Sequence, residues 1–177
     1  MELVDEVAQA EATAVPGRTG LGEAVARHLF KLMAYKDEYE VARLHLKNDL
    51  AAALREEYAG GVTVQYNLHP PLLRAFGWQR KVRFGRWFDG VFRALHGMRG
   101  LRGGPLDVFG WPEVRRVERA LVDEYVALVD KALAGLDAGS YDKAARLAAL
   151  PDIIRGYEDI KLANVRRFRD EVRALGY

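Results

Sequence analysis

No cysteine occurs in the 177 residues of this chain. That absence excludes disulfides, thiolate zinc sites, a cysteine nucleophile and any iron–sulfur cluster ligated by these residues. Serine is almost as scarce. Ser140 stands alone, and its setting, AGSYDKAARL, is that of a helix cap rather than of a strained elbow between strand and helix. Nucleophilic catalysis therefore has very little to work with. The histidines, His28, His45, His69 and His96, lie far apart with no HxxxH or HExxH spacing, so a metal site would have to be assembled from distant elements. No apolar run approaches the ~18 residues that a membrane-spanning helix needs. The opening MELVDEVAQAEA has acids where a secretory signal would carry basic residues ahead of an apolar stretch, and the expectation is a cytoplasmic chain.

What is present suits one packed domain. Half of the residues are hydrophobic, and a chain of this length buries roughly 70% of the surface it exposes when unfolded. The reading is a single helical domain over 1–177, with an N-terminal helix and loop in 1–22 and the main body in 23–177. From Glu23 the residues Val25, Leu29, Leu32 and Met33 make one helical stripe. The KDEYE segment continues it through Val41, Leu44, Leu50, Leu54 and Tyr58 to a turn at Gly60-Gly61. The period then changes. Val62, Val64, Tyr66 and Leu68 alternate with polar residues, as in a half-buried strand that Pro70-Pro71 stops, and Val82–Phe84 is its short partner. Trp87, Phe88, Val91, Phe92 and Leu95 form an aromatic stripe on a helix over 84–98 and read as core, with Arg86, Asp89, Arg93 and His96 opposite. Pro112 opens a long helix carrying Val114, Val117, Leu121, Tyr125, Leu128 and Ala132. Ser140 caps another, Pro151 starts a short one that Gly156 ends, and Asp159 to Leu175 forms the last. The fold expectation is mainly α, six to eight helices with one short β-hairpin.

A net charge of +2 hides an uneven distribution. Residues 61–120 hold eleven basic and four acidic side chains, while residues 1–60 hold seven and eleven. Arg80, Lys81, Arg83, Arg86, Arg93 and Arg102 fall in the basic stretch, whose acid is Asp89. They are candidate contacts for phosphates, an acidic protein or nucleic acid. The competing reading is a solvated face, or salt bridges to the acidic flanks. Lys36, Asp37, Glu38, Glu40 and Arg43 form a charged run that a helix would pair at four-residue spacing. So charged a run argues against the desolvated carboxylate that acid–base catalysis needs, and a structural ionic network is expected there. In GLRGGPLDVFG the glycines at 100, 103 and 104 fit neither GxGxxG nor GxxxxGK. A tight turn in which Arg102 pairs with Asp107 is expected, and a loop touching a partner domain or anion is the alternative.

Three long segments carry a resemblance: LMAYKDEYEVARL (32–44), LRGGPLDVFGW (101–111) and LPDIIRGYEDIKLANV (150–165). With PPLL (70–73), FGRWF (84–88) and VERAL (117–121), they resemble the C-terminal region of the fused indolepyruvate ferredoxin oxidoreductases. Some members of that family read Gly-His where this chain has Glu158-Asp159. The resemblance implies an accessory domain of an enzyme that decarboxylates 2-oxo acids oxidatively, using thiamine diphosphate with Mg, iron–sulfur clusters and coenzyme A. The GDG run of a thiamine diphosphate site does not occur here. No catalytic, cofactor-binding or metal residue is therefore expected in this segment. The implied partners are the catalytic domains of the same enzyme and possibly ferredoxin, with no membrane and nucleic acid disfavoured. The competing function is a stand-alone module whose basic centre binds an acidic protein or nucleic acid.

Overall fold

A computed structural model describes residues 2–35, 37–47, 63, 65–68, 80 and 82–177. Among them are seven α-helices and one two-stranded antiparallel sheet, so the fold is mainly α with a short hairpin, as the sequence leads one to expect. No helix among the described residues is long and apolar enough to cross a membrane. Where the sequence reads as one domain, the contacts resolve two compact units, residues 1–35 with 112–177 and residues 36–111. The units do not part near residue 22, which lies inside a helix.

The first unit is discontinuous in sequence. It contains α1 (Glu2–Ala14), α2 (Gly20–Met33), α5 (Glu113–Leu133), α6 (Tyr141–Ala149) and α7 (Glu158–Ala174). Their apolar stripes meet in one core. Val7, Leu21, Val25, Leu121, Tyr125, Tyr141, Leu147, Val165 and Phe168 are among its fully buried members, and each large apolar side chain so buried contributes ~1.5–3 kcal/mol. Tyr125 sits within this core because its hydroxyl donates to the Ala148 carbonyl at 2.8 Å. One stripe position departs from expectation. Met33, read as a core position of α2, is exposed, as is its neighbour Phe30.

Two chain features in this unit are set by close approach. Glu11 of α1 is buried, and its carboxylate accepts the Leu21 and Gly22 amides, each at 2.8 Å, at the start of α2. A side chain from another helix thus satisfies amides that α2 itself leaves free. The Tyr141 hydroxyl donates to the same carboxylate at 2.6 Å. A Cβ on Gly22 would come 3.1 Å from Glu11, and one on Gly20 would come 3.2 Å from the Tyr141 hydroxyl, so a side chain at either position would have to displace these groups by a few tenths of an ångström. Ser140 precedes α6, but its Oγ makes no cap bond to that helix. It donates to the Gly135 carbonyl at 2.7 Å and accepts the Asp137 amide at 2.9 Å, closing the turn before the helix.

The second unit contains α3 (Glu38–Lys47), the strands β1 (Tyr66–Leu68) and β2 (Val82–Phe84), α4 (Phe88–Gly97) and a loop of 3-10 turns at Met98–Leu101 and Val108–Gly110. In the hairpin Tyr66 faces Phe84, Asn67 faces Arg83 and Leu68 faces Val82. The expected apolar positions at Leu50, Leu54 and Tyr58, the turn at Gly60-Gly61 and the strand residues Val62 and Val64 lie outside the described residues, as do Pro70-Pro71. The packing is aromatic. His45 stacks on Phe92 at 4.7 Å between ring centres, Tyr66 and Phe88 meet Phe92 edge-on, and Phe84 lies 4.3 Å from Phe88. Helix α4 begins later than the expected 84–98. Phe84 ends β2, and the 85–90 segment turns through Gly85 O with Phe88 N and Arg86 O with Asp89 N before the helix proceeds. Trp87 is therefore outside the core stripe and 68% exposed.

Candidate functional site

The sequence proposed two groups of residues, and both fall in the second unit. In the first group, Asp37 sits just ahead of α3 and is only 2% exposed. Its Oδ1 accepts the Glu40 amide at 2.9 Å, the bond of an N-cap residue to the third helical position. Its Oδ2 lies 2.6 Å from Arg102 Nε, an ion-pair contact without the geometry of a linear hydrogen bond. Arg43 chelates Glu40 one turn earlier, at 2.8 and 2.7 Å. This pair has three-residue spacing, where the sequence reading paired Arg43 with Tyr39 and Glu40 with Lys36. Glu38 is half-buried on the first turn, and Lys36 lies outside the described residues.

Arg102 belongs to the second group, and its Nε pairs with Asp37 of the first. Asp107 is itself buried, 1% exposed. It accepts the Gly103 amide at 2.8 Å and the Tyr39 hydroxyl at 3.1 Å. Gly103 has φ +81, a left-handed conformation that glycine adopts without strain. Tyr39 is further fixed by an edge contact to Phe109 at 5.4 Å. The KDEYE helix and the LRGGPLDVFG loop are thus tied together twice, by Asp37–Arg102 and by Tyr39–Asp107. Burial, then the hydrogen bond and charge of Asp107, push the Tyr39 hydroxyl up to about 12, so it stays protonated and donates at neutral pH.

The remaining basic residues are not drawn into this network. Arg80, Arg83, Arg86 and Arg93 are exposed, and Lys81 lies outside the described residues. Arg83 projects from the outer side of the hairpin opposite Asn67. Asp89, the acid within this stretch, is half-buried and accepts the Tyr66 hydroxyl at 2.6 Å.

The first unit holds polar groups that the sequence reading passed over. Glu118 on α5 is buried and takes both Arg115, at 2.7 Å, and Lys161 of α7. Lys31 donates to the Pro151 and Asp152 carbonyls at 2.9 and 3.1 Å, and burial lowers its pKa against the opposing pull of Asp152. His28, one turn before Lys31, is 7% exposed and its Nδ1 has no hydrogen-bond partner among the described residues. Its pKa is lowered by burial first, then by Lys31 and Arg27, with Asp152 opposing. Glu11, Glu118 and His28 share one cause of illegibility. Each takes its role from a partner brought in by another helix. The glycines flanking Leu21 were the available signal for Glu11.

The chain has no cysteine for a cluster, and no three His, Asp or Glu side chains among the described residues converge on a point that could hold a metal ion. Fold and side chains together define a helical protein in which one half-buried ion pair and one buried hydrogen bond tie a charged helix to a glycine-rich loop, with a separate set of exposed guanidinium groups. The chain belongs to a family of unknown function, DUF6537, whose model matches residues 1–174. No curated protein and no solved structure matches the chain.

Proposed function

We propose that this chain is a cytoplasmic accessory domain of a thiamine-diphosphate-dependent indolepyruvate, or 2-oxo acid, ferredoxin oxidoreductase, with no catalytic centre of its own. One observation supports the reading most. Two of the segments that carry the resemblance, 32–44 and 101–111, are joined to each other through Asp37–Arg102 and Tyr39–Asp107. These two segments of the resemblance are thus joined within residues 36–111, while 117–121 and 150–165 belong to the other unit. In this role the chain supplies packing and contact surface, while thiamine diphosphate, Mg, iron–sulfur clusters and coenzyme A belong to the catalytic domains that it accompanies. Fold alone does not carry such an assignment, so the test is biochemical. Purified from native extract, the chain should co-elute with a polypeptide bearing a GDG run and CxxCxxC clusters, and the complex should reduce ferredoxin when given indolepyruvate. Elution free of any such polypeptide would reject the proposal.

A further inference from the structure

Arg80, Arg83, Arg86 and Arg93, on or just before β2 and α4, are all exposed, and none has an ion pair or side-chain hydrogen bond to another described residue. Arg27, Arg116, Arg146, Arg166 and Arg167 share that state, whereas Arg18, Arg155 and Arg173 pair with Asp142, Asp152 and Asp170. What sets residues 80–93 apart is density, five basic side chains against the single acid Asp89. Here the nearby acid, Asp89, is turned inward to Tyr66. Among these cations stands Trp87, 68% exposed but held edge-on by Phe84 and Phe88 at 5.8 and 5.4 Å between ring centres. A large apolar ring held in place loses little further freedom on binding. Tryptophan and arginine are the residues that most often dominate protein interfaces.

Gly90 adds an independent observation. It lies inside α4, where glycine weakens a helix relative to alanine. It lacks the positive φ that would call for glycine, and a Cβ there would meet nothing within 4 Å. No contact within the protein accounts for it. A bare helix surface between Trp87 and Arg93 does allow the backbone of another molecule to come close.

We propose that this face, Arg80, Arg83, Arg86, Trp87, Gly90 and Arg93, docks an acidic protein segment, with Trp87 as the apolar anchor and the arginines meeting carboxylates around it. A braced tryptophan, a bare helix backbone and a stretch of five basic residues against one acid suit a compact contact of this kind. A nucleic-acid strand is bound chiefly through many neutralised phosphates along a continuous groove. The inference stands apart from the oxidoreductase reading, and its test uses no oxidoreductase component, so the two can fail separately.

The test titrates the full chain, carrying Trp78→Phe and Trp111→Phe so that Trp87 reports, with a glutamate-rich peptide containing leucines. An oligonucleotide of equal charge serves as competitor. The peptide should shift Trp87 emission to the blue and bind more weakly as salt is raised. Arg83→Glu with Arg86→Glu should weaken binding about tenfold, and a separate titration by calorimetry should show Trp87→Ala weakening it about thirtyfold. Gly90→Ala should raise the melting temperature, and Gly90→Leu should block binding in a chain that remains folded by circular dichroism. Absence of peptide binding at low salt overturns the proposal, as does binding indifferent to these substitutions. Tighter binding of the oligonucleotide would assign the face to nucleic acid and equally overturn it.

Discussion

The two units are stabilised by different means. Residues 1–35 and 112–177 enclose an apolar core drawn from five helices, and their buried acids, Glu11 and Glu118, are each held by several donors. In residues 36–111 the fully buried apolar side chains among those described are Tyr39, Ala42 and Phe92. Much of that unit's order comes from ring contacts and from two buried aspartates. A unit with a broad core tolerates the loss of one polar contact. Where two buried aspartates carry contacts between elements, removing one partner leaves another buried group unsatisfied.

The largest effect expected from a single change is therefore in the first unit's core. Phe168→Ala, at a site 1% exposed, should cost ~3–5 kcal/mol, read as a lower denaturation midpoint in urea. Its effect on hydrogen exchange should be concentrated in α1, α2 and α5 to α7. A loss spread evenly over both units would break the comparison. In the second unit, Asp37→Ala removes a cap and the partner of Arg102. The cost should be ~2–3 kcal/mol, below the full value for a buried pair because the Arg102 side chain is 39% exposed. Exchange should rise in α3 and the 98–111 loop, whereas Arg43→Ala, on a half-exposed pair, should leave the denaturation midpoint almost unchanged.

Glu11→Gln tests whether a polar group in the well-packed unit is as consequential. The amide keeps one acceptor oxygen where the carboxylate offered two to the Leu21 and Gly22 amides, and the loss should be ~1–2 kcal/mol. The smallest effect concerns pH. Burial lowers the pKa of His28 below its ordinary 6.5, so the unfolded chain binds the proton more readily than the folded one. The stability it contributes is fully present above pH 6.5 and is lost as pH falls through the lower folded-state value. The groups that face it are Arg27 and Lys31 on its own helix and Asp152 on the neighbouring turn. His28→Gln should flatten the fall in stability below neutrality, and an unchanged slope would show that His28 takes up its proton without hindrance.

Helix and strand positions were legible because they depend on local periodicity. The α5 stripe and the short hairpin emerged near the expected residues. Trp87 was misjudged because a stripe drawn through 84–98 ignores that Phe84 is spent on a strand and that three residues are needed to turn into α4. The Arg102–Asp37 pair was out of reach for a related reason: its partners are far apart in sequence and meet only through the packing of α3 on the 98–111 loop. Within the charged run, Asp37 could be recognised as part of an ionic network, but its role as a helix cap depended on where α3 begins.

Inserting residues 36–111 within the other unit imposes an order on synthesis. The hydrogen bond from Tyr141 to Glu11 spans 130 positions, and α1 and α2 have only each other until α5 to α7 have left the ribosome. The intervening unit is complete in sequence by then and can fold as it emerges, since domains generally form as units during translation. Within this unit α1 and α2 are made before the helices that cover them. Their apolar stripe, Val7, Leu21, Val25 and Leu32, waits for α5 to α7 while residues 36–111 are built.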